Sequence, residues 1–391
     1  MKLKVNSRIA QVAPSATLAI TALANSLKKQ GKDVVSFAAG EPDFDTPQTI
    51  KDAAIEALKK GLTKYTPSIG TVELREEISK KFKADNNLIY EVPQIAVSCG
   101  AKHSIFDAIQ VLVDTNEEVI IPTPCWVSYP EMVKIAGGTP VFVTTTADSG
   151  FKITPGQFKK AITKNTKMLI LNSPSNPTGM LYSKQELSDL AEICVKHNIF
   201  VISDEIYEKL IYDTTEYTSI ASLGKEIYDL TITVNGVSKT YSMTGWRIGY
   251  LGASKEIVSY INNFQDHSTS NPVSMCQFAT IQALREPPEV IEKMRLEFKM
   301  RRDLLMSELD KIPQISYVKP GGAFYLFCDI SKLGSAHDLA TRILNDVNVA
   351  MIPGEGFMAP GYVRLSFATS AERIKEGVKR IATWIEKNYN K

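Results

Sequence analysis

The sequence predicts an α/β protein: a large domain on a mostly parallel central sheet, with a smaller α+β domain beside it. Three observations predict it. Between residues 95 and 252, short runs that are apolar on both faces alternate with amphipathic stretches. Strands of that kind need cover on both sides, and a parallel sheet with helical crossovers provides it. After Pro287-Pro288 the pattern changes to strands and helices mixed in α+β order. The length, 391 residues, exceeds a single average domain of roughly 150 residues.

Taken in order, residues 95–98 read as a strand that runs through Gly100 into a helix over 101–113. Strands follow at 118–121 and 141–144, with a helix over 129–136 between them. Thr154-Pro155 is an N-cap followed by proline at the first helical position, opening a helix over 156–162. Residues 167–172 form a buried-strand pattern. Ser183 and Glu186 make a capping box that starts a helix reaching about Lys196. Residues 199–203, 230–235 and 248–252 complete the strands of the first region. Beyond it come a long charged helix over 289–310, strands at 315–318, 323–329, 349–352 and 362–367, and helices over 337–346 and 372–388. We expect one domain over 46–285, with 1–45 and 286–391 together forming the other.

Composition narrows the function. The chain is 44% hydrophobic and 23% charged, with 45 Lys+Arg against 43 Asp+Glu and a net charge of +2. Neither disorder nor nucleic-acid binding fits that balance. No apolar run reaches the roughly 18 residues of a membrane span. The apolar stretch near Leu18 is broken by Thr17 and Thr21, so a cleaved leader is not expected. Five scattered cysteines without a CxxC pair read as free thiols of a cytoplasmic protein. The four histidines lack metal-ligand spacing and read as structural, so no metal is expected. Gly321-Gly322-Ala323 reads as a turn before a strand.

Three segments carry the chemistry. Asn172-Ser173-Pro174-Ser175-Asn176-Pro177-Thr178-Gly179 ends one predicted strand, and Ser203-Asp204-Glu205-Ile206-Tyr207 ends the next. A third predicted strand leads into Ser238-Lys239-Thr240-Tyr241-Ser242-Met243-Thr244-Gly245-Trp246-Arg247. In a parallel sheet all three lie at strand carboxyl ends, where ligands bind. Gly100-Ala101-Lys102 starts a helix directly after a strand, so its backbone N–H groups can receive an anion.

These segments, in this order, resemble the class I/II, fold-type I pyridoxal-phosphate aminotransferases, and within them the bacterial aspartate group. The likeness spans the chain, from Gly40-Glu41-Pro42-Asp43-Phe44 and Lys64-Tyr65 to Val363-Arg364-Leu365-Ser366. It implies pyridoxal 5′-phosphate as cofactor, with Lys239 binding its aldehyde covalently and then shuttling protons. Asp204 pairs with the ring nitrogen, Tyr207 and Asn176 with the phenolic oxygen, and Trp126 with the ring face. Gly100, Ala101, Lys102, Ser238 and Arg247 take the phosphate, joined by Tyr65 across a homodimer interface. Arg364 binds the substrate α-carboxylate, with Gly40, Trp126 and Asn176 beside it.

The same resemblance bears on substrate. The stretch from Gln265 to Pro272 lacks the arginine that some members lend to their partner's site. Lys102 and Pro14-Ser15-Ala16-Thr17 instead resemble a subgroup that binds the distal carboxylate with a lysine and hydroxyls. We therefore expect Lys102, Ser15 and Thr17 near that carboxylate, or Lys102 on the cofactor phosphate alone. Ala13 stands where members that take prephenate carry lysine, so prephenate is not expected. The expected reaction is amino transfer from aspartate to 2-oxoglutarate, among small amino acids and 2-oxo acids. An aminotransferase of other specificity, aromatic or prephenate, and a pyridoxal-phosphate-dependent β-lyase of the same fold are the alternatives. A non-catalytic regulator would need a basic DNA-binding module, and the first 45 residues are not basic enough.

Overall fold

The computed structural model describes residues 5–14, 16–213 and 216–389. The first sheet has seven strands: β1 (Ile95–Ser98), β2 (Glu118–Thr123), β3 (Thr139–Thr144), β4 (Thr166–Asn172), β5 (Phe200–Asp204), β6 (Thr231–Gly236) and β7 (Gly249–Gly252). Their spatial order is β1-β7-β6-β5-β4-β2-β3. Alternate residues enter two separate cores, as the two-residue period of a strand requires. Val119, Ile121, Met168, Ile170 and Ile202 pack with Ile105, Ile109 and Ile257 on one side. Ile120, Leu169, Leu171 and Val201 pack with Phe158, Leu187 and Leu190 on the other. Both faces are thus buried under helices, which explains why these strands read as unbroken apolar runs.

The expected N-cap at Thr154 and the expected capping box at Ser183 both form. Thr154 Oγ1 accepts from Gln157 N–H at the start of Pro155–Ala161, and Ser183 does the same for Glu186 at the start of Lys184–His197. One strand departs from the parallel pattern. β7 runs antiparallel to both β6 and β1. Only a 3-10 turn, Thr244–Trp246, interrupts the return from β6 to β7. Without a crossover helix the chain folds straight back, and antiparallel pairing follows. Gly249 is the start of β7, and a Cβ there would collide with Ala101 N. The missing side chain lets β7 lie directly against the start of the helix Ala101–Leu112.

The C-terminal part forms a second, antiparallel sheet of β8 (Ser316–Tyr317), β9 (Tyr325–Asp329), β10 (Ile352–Pro353) and β11 (Tyr362–Ser366), in the order β10-β11-β9-β8. The expected strand at 349–352 is divided. Val349–Ala350 pairs in parallel with Val35–Ser36, while Ile352–Pro353 pairs with β11. The expected strand at 323–329 starts later, because Ala323 has a left-handed φ of 56°. Several helices form beyond those the sequence predicts, among them Ala16–Lys29, Gln48–Lys59, Val72–Asn86, Lys255–Asp266 and Ser274–Leu284. Among the described residues no helix is long and apolar enough to cross a membrane.

Candidate active site

β4, β5 and β6 end at one edge, where Asn172 pairs with Asp204 and Asp204 with Val234. A cavity of about 440 Å³ opens there. Lys239, Asp204, Tyr207, Asn176, Trp126, Ala101, Lys102, Ser238, Arg247, Gly40, Thr17 and Arg364 all line it. Gly100 sits just beneath Arg247, where a Cβ would collide with the guanidinium. Two expected residues are not brought in. Tyr65 is 92% exposed and does not line this cavity. Ser15 lies outside the described residues.

Lys239 follows β6 on a turn and donates through Nζ to Gly40 O at 2.6 Å. Burial pulls its amine down to about 8, and the Arg364 and Arg247 charges add to the fall while Glu41 and Asp204 oppose it. A lower value means a larger neutral fraction near neutrality, as a nucleophilic amine needs. Reductive methylation at Lys239 is therefore expected to rise through a midpoint of about pH 8, rather than the ordinary 10.5. Peptide mass spectrometry across a pH series checks this, and a midpoint above 10 would contradict it.

Asp204 is 4% exposed. Tyr129 Oη donates to its Oδ2 at 2.6 Å and Ile206 N–H to its Oδ1 at 3.3 Å. Burial nevertheless pushes the carboxyl up to about 6. A cationic N–H donor placed against this acid would restore the charged form. Tyr207 Oη shares a hydrogen bond of 2.9 Å with Tyr325 Oη.

Arg364 projects from β11 and is 3% exposed. Its Nη1 donates to Asn176 Oδ1 and its Nη2 to Ala38 O, both at 3.0 Å, while Nε is buried without a partner among the described residues. The guanidinium also stacks 4.3 Å from the Tyr325 ring centroid. None of the protein acceptors it uses is a carboxylate, which leaves a buried cation suited to an anionic ligand.

The helix Ala101–Leu112, whose first residues also line the cavity, begins at Gly100, φ 94°, with no side-chain cap. Its first N–H groups and positive dipole end face an open space, a ready anion site. Arg247 reaches over this end, held by Thr244 O at 2.9 Å and Cys99 O at 3.2 Å. Lys102 Nζ lies 4.8 Å from the Trp126 ring centroid, and burial lowers its amine.

Among the further residues that line the cavity, and that carry no role in the sequence reading, are Tyr129, Tyr325, Glu41, Asn172 and Thr21. Tyr129 lies three residues after Trp126 on the helix Ser128–Ala136, so its facing was open to helical-period reasoning. Asn172 accepts Asn176 N–H at 2.7 Å through Oδ1 and donates to Asp204 O at 2.9 Å, tying two of the strand-end loops together. Tyr325 reaches the cavity from the second sheet, a long-range contact that no local pattern encodes.

The arrangement supplies an amine, a buried acid and two groups of anion-binding residues in one cleft. A family model described as aminotransferase class I and II matches residues 32–381. The aspartate aminotransferase of Geobacillus stearothermophilus is 49% identical over 98% of this chain and 99% of its own length. The probable aspartate/prephenate aminotransferase of Aquifex aeolicus is 44% identical over 99% of this chain and 100% of its own. The solved structure of the Thermus thermophilus aspartate aminotransferase with maleate superposes with a TM-score of 0.94 at 41% identity, covering 98% of this chain and 100% of that one. The chain belongs to the class I and II aminotransferases.

Proposed function

We propose that this aminotransferase moves the amino group of L-aspartate to 2-oxoglutarate, giving oxaloacetate and L-glutamate, with pyridoxal 5′-phosphate as cofactor. The observation that carries the reading is that Arg364 and Lys102, cations on different elements, open into the one cavity that also holds Lys239 and Asp204. A dicarboxylic substrate needs two such cations, and a neutral amino acid needs one.

The residues present fit the cofactor. The uncapped helix start at Gly100 and Ala101, together with Arg247 and Ser238, suits a phosphate dianion. The left-handed Gly100 leaves room for Arg247 there. Asp204, with burial against it, suits a cationic ring nitrogen. Tyr207 and Asn176 would hold the phenolic oxygen, and Trp126 would cover the ring. When bound, the cofactor supplies the electron sink for the carbanion.

The chain's own groups do the rest. Arg364, with Asn176 beside it, fixes the substrate α-carboxylate. Gly40 offers backbone where a side chain would obstruct. Lys239, with its lowered amine, takes the proton from the substrate Cα and returns it. Lys102 and Thr17, with Ser15 assigned there from sequence alone, would hold the distal carboxylate.

A test follows from Lys102. Lys102→Ala is expected to lower kcat/KM for aspartate by about 10- to 100-fold, the loss of one charge-assisted contact. Activity on a neutral amino acid of similar size should be retained. Steady-state assays on both substrates read this out. An equal loss on both would assign Lys102 to the cofactor phosphate and contradict the specificity reading.

The same reading includes a homodimer with shared sites and a division into domains at 46–285 and the remainder. The exposure of Tyr65 and a largely apolar depression of about 610 Å³ beside Arg247 support the dimer. Mixing the variants Tyr65→Ala and Lys239→Ala is expected to restore activity above either alone, because mixed dimers regain one intact site. No gain on mixing, or a fully active monomer by light scattering, would contradict shared sites. The free thiols Cys99, Cys125, Cys194, Cys276 and Cys328 fit a cytoplasmic setting.

A further inference from the structure

Asp204 and Glu205 are consecutive at the end of β5, so their side chains leave opposite faces. Asp204 lines the cavity. Glu205 points the other way and is 1% exposed. It does not line the cavity, and the chemistry proposed above makes no use of it.

Its carboxylate gathers four donors. Ser203 Oγ and Ser219 Oγ donate to Oε1 at 2.8 and 2.6 Å, Asn86 Nδ2 donates to Oε2 at 3.0 Å, and the Tyr217 hydroxyl also bonds to it. Asn86 Nδ2 bonds Glu208 as well, and the Lys81 ammonium pairs with Glu208 and with Asn86 Oδ1. Lys81 and Glu208 are themselves buried. The hub spans the end of β5, the loop that holds Ser219, and the helix Val72–Asn86. The backbone here is pinned too: Glu205 N–H donates to Val234 O at 2.9 Å, and Glu208 N–H to Glu205 O at 3.0 Å.

A buried acid is costly to desolvate unless its oxygens are fully bonded. Burial, then the charge of Glu208, pushes the Glu205 carboxyl up to about 7. An apolar side chain would fill this position without that cost. What the acid adds is a fixed geometry: its oxygens draw three elements onto residues 203–208, the stretch that carries both Asp204 and Tyr207.

We infer that Glu205 is a positioning residue: its buried carboxylate hub fixes the 203–208 turn and thereby aims the Asp204 carboxylate and the Tyr207 hydroxyl into the cavity. This rests on the reading that Asp204 and Tyr207 hold the cofactor ring.

The test uses cofactor-loaded Glu205→Gln and Glu205→Ala beside Asp204→Asn and the remote core variant Leu190→Ala. Four quantities are read: kcat, KM for the amino donor, cofactor affinity by equilibrium dialysis, and Tm. Glutamine keeps the shape but sets an NH₂ against donors, so both Glu205 variants are expected to bind cofactor more weakly. Their kcat should fall about 10- to 100-fold, the effect of a small misplacement. KM should change little, since Arg364 sits on another strand. Leu190→Ala should lower Tm without changing kcat or cofactor affinity. Should Glu205→Ala fail to fold, Ser219→Ala keeps the acid, removes one donor, and is expected to show the same losses in smaller measure. If both Glu205→Gln and Ser219→Ala keep wild-type kcat and cofactor affinity while Asp204→Asn is impaired, the inference is overturned and the reading of Asp204 stands. If Asp204→Asn is unimpaired as well, the reading beneath it is overturned.

Discussion

Lys239→Ala is expected to lose amino transfer almost entirely, on the order of 10⁴-fold or more, while still capturing the cofactor. The size follows from the loss of two functions in one side chain. General acid–base action by a placed group is worth roughly 10²–10⁴-fold, and covalent attachment adds to that. Among the described residues no other in the cavity replaces it: the remaining cations there are Arg247, Arg364 and Lys102, and arginine stays protonated. Lys102 lies against the Trp126 ring, whereas Lys239 meets the Gly40 carbonyl. Cofactor capture should survive because Arg247 and Asp204 are untouched. Assays of transfer beside cofactor dialysis read both halves. Near-wild-type turnover in Lys239→Ala would overturn the assignment.

Asp204→Asn is expected to slow transfer by about 10²–10⁴-fold, or about 3–5 kcal/mol of barrier. Asparagine keeps the shape and can still accept from Tyr129, but it carries no charge. Burial holds the Asp204 carboxyl near 6 in the free protein, so a cationic partner gains strongly from the ionised form and asparagine cannot return that gain. The effect should fall on kcat rather than on KM for the amino donor, because Arg364 and Asn176 bind the substrate carboxylate independently. A loss below about tenfold would mean the ring nitrogen is held elsewhere.

The central sheet was legible because its strands are buried on both faces, which makes Lys167 to Asn172 and Ile199 to Ser203 conspicuous apolar runs between capped helices. The residues placed at strand ends, Asn176, Asp204 and Lys239, came with it, since parallel strands deliver their following loops to one edge. What escaped depends on contacts between distant segments. Tyr325 meets Tyr207 across 118 residues of sequence. The direction of β7 depended on the absence of a crossover helix, which is a property of the whole 237–248 turn and not of the strand. Helices such as Val72–Asn86 carry few apolar positions on a charged surface, and their pattern is weak without the sheet they cover. Tyr65 could be tied to the site only through the family resemblance, because within one chain it faces outward.

The most direct measurement is a single turnover of cofactor-loaded protein with aspartate and no oxo acid. The account predicts about one oxaloacetate released per site, no free ammonia, and a second burst, now of glutamate, when 2-oxoglutarate is added. Continuous release of ammonia, or no oxaloacetate while a neutral amino acid reacts fully, would contradict it.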